Sequence, residues 1–399
     1  MAKATTDYAL DFNVSAKALR SALTVVSATM DKNKAAAGHS LYLRGSNKNN
    51  KQQLVLFTTD GSQESMTSLP AEVSTPGSLL VSPDLLVPVL ATLGEESKIR
   101  FSMKTGAPRV QVTSGTVKIN VPMLDKKWHE DSLQSMPFGA KPAISLPAFK
   151  LRAVIERTTR FIYKKEDQYV LQNIHMLTKD RQLQAYAFDR FVAARASING
   201  LLEEQNGFDL LLHSTFVDVF RRMLARIKDD SEESVNVDII LAKNGGASDR
   251  VYVRTPDMFY GTVTGTGNYP DFSSKSPTIV DTLVINRQAL VLCLKRIEPF
   301  CEGIGRPNKG IKLLAFENNL RVEGKNGTVE FQEEIPLKEP FAGPSQLFVS
   351  FENFRNVVES AQNEDVRFSF TKEKTVVVVD SGSYESGQSN YMVATAREE

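Results

Sequence analysis

"LQAYAFDRFVAARASING", residues Leu183 to Gly200, alternates small and large side chains up to an Asp and resumes the alternation after it. Period-two alternation on both sides of a turn residue predicts two antiparallel strands joined at Asp189-Arg190. Asp189 is then either a carboxylate held at a strand tip for chemistry or simply the residue that makes the turn. The rest of the chain decides, because the stretch recurs. "LYLRGSNKNNKQQLVLFTTDGSQES" from Leu41, "IHMLTKDRQLQAYAFDRFVAA" from Ile174 and "IKLLAFENNLRVEGKNGTVEF" from Ile311 share one pattern. Each reads as strand, polar tip, strand, turn and third strand. The turns fall at Asp60-Gly61, Asp189-Arg190 and Asn326-Gly327, residue types that tolerate the positive φ of tight hairpins.

A second landmark keeps step with the first. "LLVSPDLLVPVLATL", "LLLHSTFVDVFRRML" and "LFVSFENFRNVVES" each join a short apolar strand to a helical pattern through Ser82, Ser214 or Ser350, read as helix N-caps. The hairpin turns are 129 and 137 residues apart, and the serines 132 and 136. Two unrelated landmarks with one period predict three copies of one domain, at 1–135, 136–277 and 278–399. Each copy reads as a doubled βαβββ unit, an α+β fold with helices on one side of antiparallel sheets. A carboxylate that recurs as Asp, Asp and Asn at one hairpin is explained by turn chemistry.

Composition narrows the function. The 399 residues hold 48 Lys plus Arg against 47 Asp plus Glu, so net charge alone predicts no polyanionic partner. Position says more. The six predicted helices (15–30, 83–94, 147–165, 214–228, 286–299 and 351–362) carry ten more cations than acids, against an excess of one for the whole chain. On 147–165, Leu151, Val154, Ile155, Thr158 and Ile162 form the expected buried stripe, with Lys150, Arg157 and Lys164 opposite. Repeated basic helices suit a surface that follows phosphates without reading bases.

Other chemistry is weakly represented. Cys293 and Cys301 are expected to be a reduced pair in a cytoplasmic protein, and no apolar run has the length of a membrane span. The four histidines lack metal-ligand spacing, so neither metal nor cofactor is expected. "GIGRPNKG" (Gly303–Gly310) lacks a phosphate-loop ending, "KDDSEES" reads as an acidic loop, and Trp128 as linker packing. A nucleic-acid enzyme with a diffuse active site and a structural repeat protein that never meets DNA are the competing readings.

Three doubled βαβββ units with basic helices resemble the bacterial DNA polymerase III β sliding clamps. "QYVLQNIHMLTKDRQLQAYAFDRFVAA", "GTVTGTGNYPDF", "SNYMVATAREE" and "LVLFTTDGSQES" are similar to family stretches in the same order. The resemblance implies a non-catalytic processivity factor: a head-to-tail homodimeric ring around duplex DNA, loaded by a clamp loader and tethering a DNA polymerase. By resemblance and charge, Lys17, Arg20, Arg157, Lys164, Lys165, Arg221, Arg222, Arg226, Lys295 and Arg296 are the expected DNA contacts. Ring closure would pair "TVKINVPML" with the partner's "TVEFQEEI", using Lys118, Ile119 and Val121 against Glu330, Glu333 and Glu334. The family's partner-peptide groove maps onto Leu171, Phe188, Arg190, Phe191, Ala193, Pro270, Met392, Val393, Ala394, Thr395, Ala396 and Arg397. Here Gly-His after the Asp becomes Arg190-Phe191, and the Met-rich tail becomes Ala394-Thr395-Ala396. These departures imply an altered peptide preference, as in a clamp of a phage or other mobile element with its own polymerase.

Overall fold

The computed structural model describes residues 8–48, 51–199, 207–227, 235–242, 249–271, 278–301, 310–326, 329–341, 345–361, 363–372, 376–384 and 387–394. The first stretch of chain runs β1 (Tyr8–Ser15), α1 (Ala16–Val26), β2 (Leu41–Lys48), β3 (Lys51–Thr59) and β4 (Gln63–Pro70). It continues with β5 (Glu72–Thr75), β6 (Gly77–Val81), α2 (Pro83–Thr92), β7 (Lys98–Lys104), β8 (Arg109–Ser114), β9 (Val117–Pro122) and α3 (Lys127–Ser135). Next come β10 (Ile144–Pro147), α4 (Ala148–Thr159), β11 (Asn173–Lys179), β12 (Gln182–Phe188) and β13 (Val192–Ile198). Then follow β14 (Asp209–His213), α5 (Ser214–Arg226), β15 (Asn236–Ala242), β16 (Arg250–Arg254) and β17 (Met258–Val263). The last stretch runs β18 (Ile279–Asn286), α6 (Arg287–Cys301), β19 (Gly310–Ala315), β20 (Asn319–Asn326) and β21 (Val329–Pro336). It closes with β22 (Ser345–Ser350), α7 (Phe351–Ser360), β23 (Asp365–Thr371), β24 (Val376–Tyr384) and β25 (Gly387–Ala394).

Apart from β5, α3 and two single turns of 3₁₀ helix, this is βαβββ six times over, the α+β repeat expected from the pattern. Helix phase follows burial. On α1, Leu19, Ala22, Leu23 and Val26 are buried, and they join Leu10, Phe12, Leu41, Leu43, Leu54 and Leu56 in one core. Ser82 and Ser350 hold the extended N-cap backbone but make no side-chain capping bond, while Ser214 is already helical. The serines mark the helix starts; the capping chemistry expected of them is missing. Cys293 and Cys301 are buried, unbridged thiols on α6.

By compactness the chain forms two units. One comprises residues 1–147 and 225–264 and contains a five-stranded sheet, β5-β1-β7-β8-β9, and an eight-stranded sheet, β10-β15-β16-β17-β4-β3-β2-β6. The other comprises 148–224 and 265–399, with an eight-stranded sheet, β14-β11-β12-β13-β25-β24-β23-β18, and a four-stranded one, β21-β20-β19-β22. The division runs through the second repeat because each of its half-sheets continues into a sheet of a neighbouring repeat.

α3 departs from expectation. The segment around Trp128, read as linker, is a helix that buries His129 and Leu133. Leu133 and Met136 pack with Tyr42, Phe57 and Leu80 on the outer face of the first eight-stranded sheet.

Candidate functional site

The opening question is settled by two matching sets of hydrogen bonds. Asp189 Oδ1 accepts the backbone N–H of Phe191 at 2.9 Å and of Val192 at 2.6 Å. Asp60 Oδ1 accepts those of Ser62 at 2.9 Å and Gln63 at 2.6 Å. Both are Asx turns, with the carboxylate replacing a backbone acceptor. Burial raises the Asp189 pKa, opposed by these backbone donors. Gly327 of the third turn lies outside the described residues, although Asn326 and Val329 on either side of it are paired.

Of the helix cations, Lys164 and Lys165 are exposed just beyond α4, where the Gln172 amide donates to the Lys165 carbonyl at 2.9 Å. Arg221, Arg222 and Arg226 lie on the exposed stripe of α5, opposite the buried Phe216, Val217, Phe220, Met223 and Leu224. Arg226 also donates to the Ser21 carbonyl at 2.7 Å. Lys295 is exposed on α6, and Lys17 is exposed on α1 in a 2.9 Å pair with Glu95.

Three expected contacts are otherwise engaged. Arg157 is 1 % exposed and among the largest fully buried side chains, so it cannot meet DNA as expected. Val154 on the same helix and Phe161 just beyond its end are themselves buried, so the apolar stripe is wide enough to include position 157. Arg20 donates to the carbonyls of Leu90 at 3.2 Å and Leu93 at 2.7 Å, satisfying the C-terminal end of α2. Arg152, at the same place in the next repeat, donates to Leu224 O on α5 at 2.5 Å, so this clasp belongs to the architecture. Arg296 forms a two-pronged pair with Glu333 of β21, its Nε 2.9 Å from Oε2, and this pairing holds the Glu333 carboxyl below its ordinary range.

The strand edges show what the repeat leaves over. β17 pairs with β4 and β25 with β13, each time the last strand of a repeat's second half-unit against the last strand of another repeat's first half-unit. β9 corresponds to β17 and β25, and β21 to β4 and β13, yet β9 and β21 each end a sheet. Lys118 on β9 is exposed and Ile119 half-buried against the core. Val121, expected at the interface, is 2 % exposed and packed into its own core, since it lies on the inward phase of the strand. The exposed apolar side chains on these edges are instead Val117 and Val329. Glu330 pairs with Lys325 at 2.9 Å and Glu334 with Arg321 at 2.7 Å, so each expected acid already has a cation within its own chain.

Around the second Asx turn the expected groove residues gather on one sheet. Val192 and Ala193 pair with Val393 and Met392, and Ala394 donates its N–H to Phe191 O at 2.8 Å. Phe191 is 51 % exposed, Phe188 half-buried, Pro270 exposed, and Leu171, Ala193 and Val393 buried. Leu171 and Ala193 therefore do not belong to the exposed surface. Thr395, Ala396 and Arg397 lie outside the described residues. Arg190 adopts φ of 81°, donates to Tyr163 Oη at 3.2 Å and lies 3.6 Å from Asp167. Sequence reasoning missed Tyr163, Asp167 and Tyr269, none of which belongs to a repeated motif. Burial pushes the Tyr269 phenol well above its ordinary range, and its ring lies 5.2 Å from that of His175.

No known family model matches the chain, and no curated protein is similar to it in sequence. Its structure is similar to the sliding clamp, DNA polymerase III subunit beta, of Pseudomonas aeruginosa, with a TM-score of 0.82 at 18% identity over 98% of this chain and 100% of that one. It is likewise similar to the DNA polymerase sliding clamp of Bacillus subtilis (TM-score 0.82, 14% identity, 98% and 100% covered). The beta subunit from DNA polymerase of Streptococcus pyogenes gives the same TM-score at 16% identity, with 97% and 100% covered. The chain has the fold of the bacterial DNA polymerase sliding clamps over essentially its whole length.

Proposed function

We propose that this chain is a DNA sliding clamp: a non-catalytic, homodimeric ring that encircles duplex DNA and tethers a DNA polymerase for processive synthesis. Whole-length likeness to sliding clamps, with neither protein extending far beyond the other, carries the reading. Three clamp domains, 1–135, 136–277 and 278–399, would supply six per ring. Lys17, Lys164, Lys165, Arg221, Arg222, Arg226 and Lys295 are the proposed phosphate contacts. Such contacts release counterions and read no bases, so affinity should fall steeply with salt and be indifferent to sequence.

Ring closure is proposed between β9 of one protomer and β21 of its partner. Its support is the repeat itself: β17–β4 and β25–β13 are the two internal versions of the same pairing, and an unpaired strand edge is a template for another. A head-to-tail contact that closes after two subunits makes a ring rather than a fibre. The surface around Phe191, Arg190, Phe188, Pro270 and Met392 is the proposed site for apolar anchor peptides of the polymerase and of a clamp loader. Cytoplasmic residence follows from that role; among the described residues no helix is long and apolar enough to cross a membrane.

The test is mass in solution followed by retention on DNA. Light scattering should give about twice the chain mass of 44.2 kDa. Protein loaded on nicked circular DNA should survive gel filtration in high salt and be lost on linearisation. A single-chain mass at every concentration, or equal loss from circular and linear DNA, would refute the ring.

A further inference from the structure

α3 covers only part of the outer face of the first eight-stranded sheet. Leu133 and Met136 sit over Tyr42 and Phe57, cross-strand partners on β2 and β3. Two residues further along those strands the same face continues as Arg44 and Val55, which are again partners, and Val55 in turn pairs with Ser68 of β4. There α3 ends, and a cavity of about 430 Å³ opens. Its floor is Val55 and Met66, its wall Leu133 and Phe138, and Arg44 and Lys51 lie at its edge with the Gln53 amide. Phe138 is 40% exposed and held by Phe259, ring centres 5.0 Å apart, so an aromatic ring faces solvent in a fixed position. Neither Arg44 nor Lys51 makes a side-chain hydrogen bond or ion pair among the described residues. The two arginines on β16 of the same sheet do: Arg250 holds Glu64 and Arg254 holds Asp238.

We propose that this pocket binds a protein segment presenting an apolar side chain, aromatic or aliphatic, next to a carboxylate. The volume suits one or two side chains, at the small end of ligand pockets. An apolar floor without a cationic edge would accept any hydrophobic residue, and a cationic edge without the floor any anion. Together they select the pairing of both, and Gln53 and Gln134 offer amide groups for the peptide backbone. All the lining residues belong to the unit formed by 1–147 and 225–264, whereas the groove residues around Phe191 belong to the other. The site is therefore independent of the groove and does not rest on the clamp reading.

The experiment uses the full chain carrying ¹³C-methyl methionine, with the Met66 signal assigned through Met66→Leu. N-acetylphenylalanine is titrated against its neutral counterpart, N-acetylphenylalaninamide. The acid should shift the Met66 methyl saturably, and the amide should bind about fivefold more weakly or worse. Arg44→Gln and Lys51→Gln should each bring the acid toward the amide's affinity while leaving the amide's own affinity unchanged. No shift of Met66 with the acid, equal affinity for acid and amide, or a shift confined to Met392 in the groove would overturn the proposal. So would a stronger response to thymidine 5′-monophosphate, which would make the pocket a phosphate site.

Discussion

In the first eight-stranded sheet, β4 meets β17 over a buried polar cluster. Glu64 accepts from Tyr252 Oη at 3.0 Å and lies 3.3 Å from Arg250, whose guanidinium also reaches the Gly61 carbonyl of the adjacent turn. Trp128 of α3 approaches that turn, and His129 beneath it donates to or accepts from Ser40. In the second sheet, β13 meets β25 through Ala193, Ala194 and Ala196, and Arg195 stacks over Tyr186 and stands in register with Asn390 rather than with an acid. Phe191 at its turn stands exposed. The same splice has been closed with charge and a helix in one place and left apolar and open in the other. A repeated backbone thus supplies one closed junction and one open one.

The largest difference should appear on breaking the charge cluster. Glu64→Ala strands Arg250 in a mostly buried site and should cost about 3–5 kcal/mol, whereas Arg195→Ala at the second junction should cost about 1 kcal/mol. Denaturant unfolding of the two variants measures this; equal losses would remove the distinction between the junctions.

The helix over the first junction should also make stability depend on pH. Burial lowers the His129 pKa from 6.5 to about 4, so the fold holds it neutral where the unfolded chain takes up a proton. Its contribution is intact above pH 6.5 and is lost as pH falls from 6.5 through 4. The full loss is about 3 kcal/mol, because each unit is worth about 1.4 kcal/mol. Denaturant midpoints across this range should slope less in His129→Leu than in the natural chain.

The open junction should respond in binding rather than in stability. Phe191→Ala should weaken binding of the proposed apolar anchor peptide about tenfold, as for an exposed aromatic anchor, and leave the melting temperature in place. Trp128→Ala, near the corresponding turn, should leave that affinity unchanged, which calorimetry can check. The smallest effect concerns the turns themselves. Gly61 has φ of 90°, so Gly61→Ala should cost about 1 kcal/mol. Arg190→Gly should be within about 0.5 kcal/mol of neutral, since it relieves a similar strain but loses the bond to Tyr163.

Much of this was legible in the residues. Helices begin within a residue of the predicted starts, and both Asx turns sit at Asp60 and Asp189, because periodicity and turn chemistry are local. Side-chain destinations were less so. Arg157 looked like a surface cation because a heptad count assumes a narrow buried stripe; its neighbours make that stripe wide. Arg20 and Arg296 looked available because nothing local reveals that the carbonyls of Leu90 and Leu93, or the carboxylate of Glu333, will arrive beside them.

The sequence by itself determined the sixfold βαβββ repeat and the turns that fold it, since hydrogen bonding and alternation act between near neighbours. Tertiary structure decided which edges join. β4 finds β17 and β13 finds β25 across stretches of chain that no local pattern links, so β9 and β21 emerge as unpaired edges only once the sheets are complete. It also decided which cations remain for a partner. A guanidinium is spent on whatever acceptor lies within a few ångströms, and that distance is set by packing, not by position along the chain.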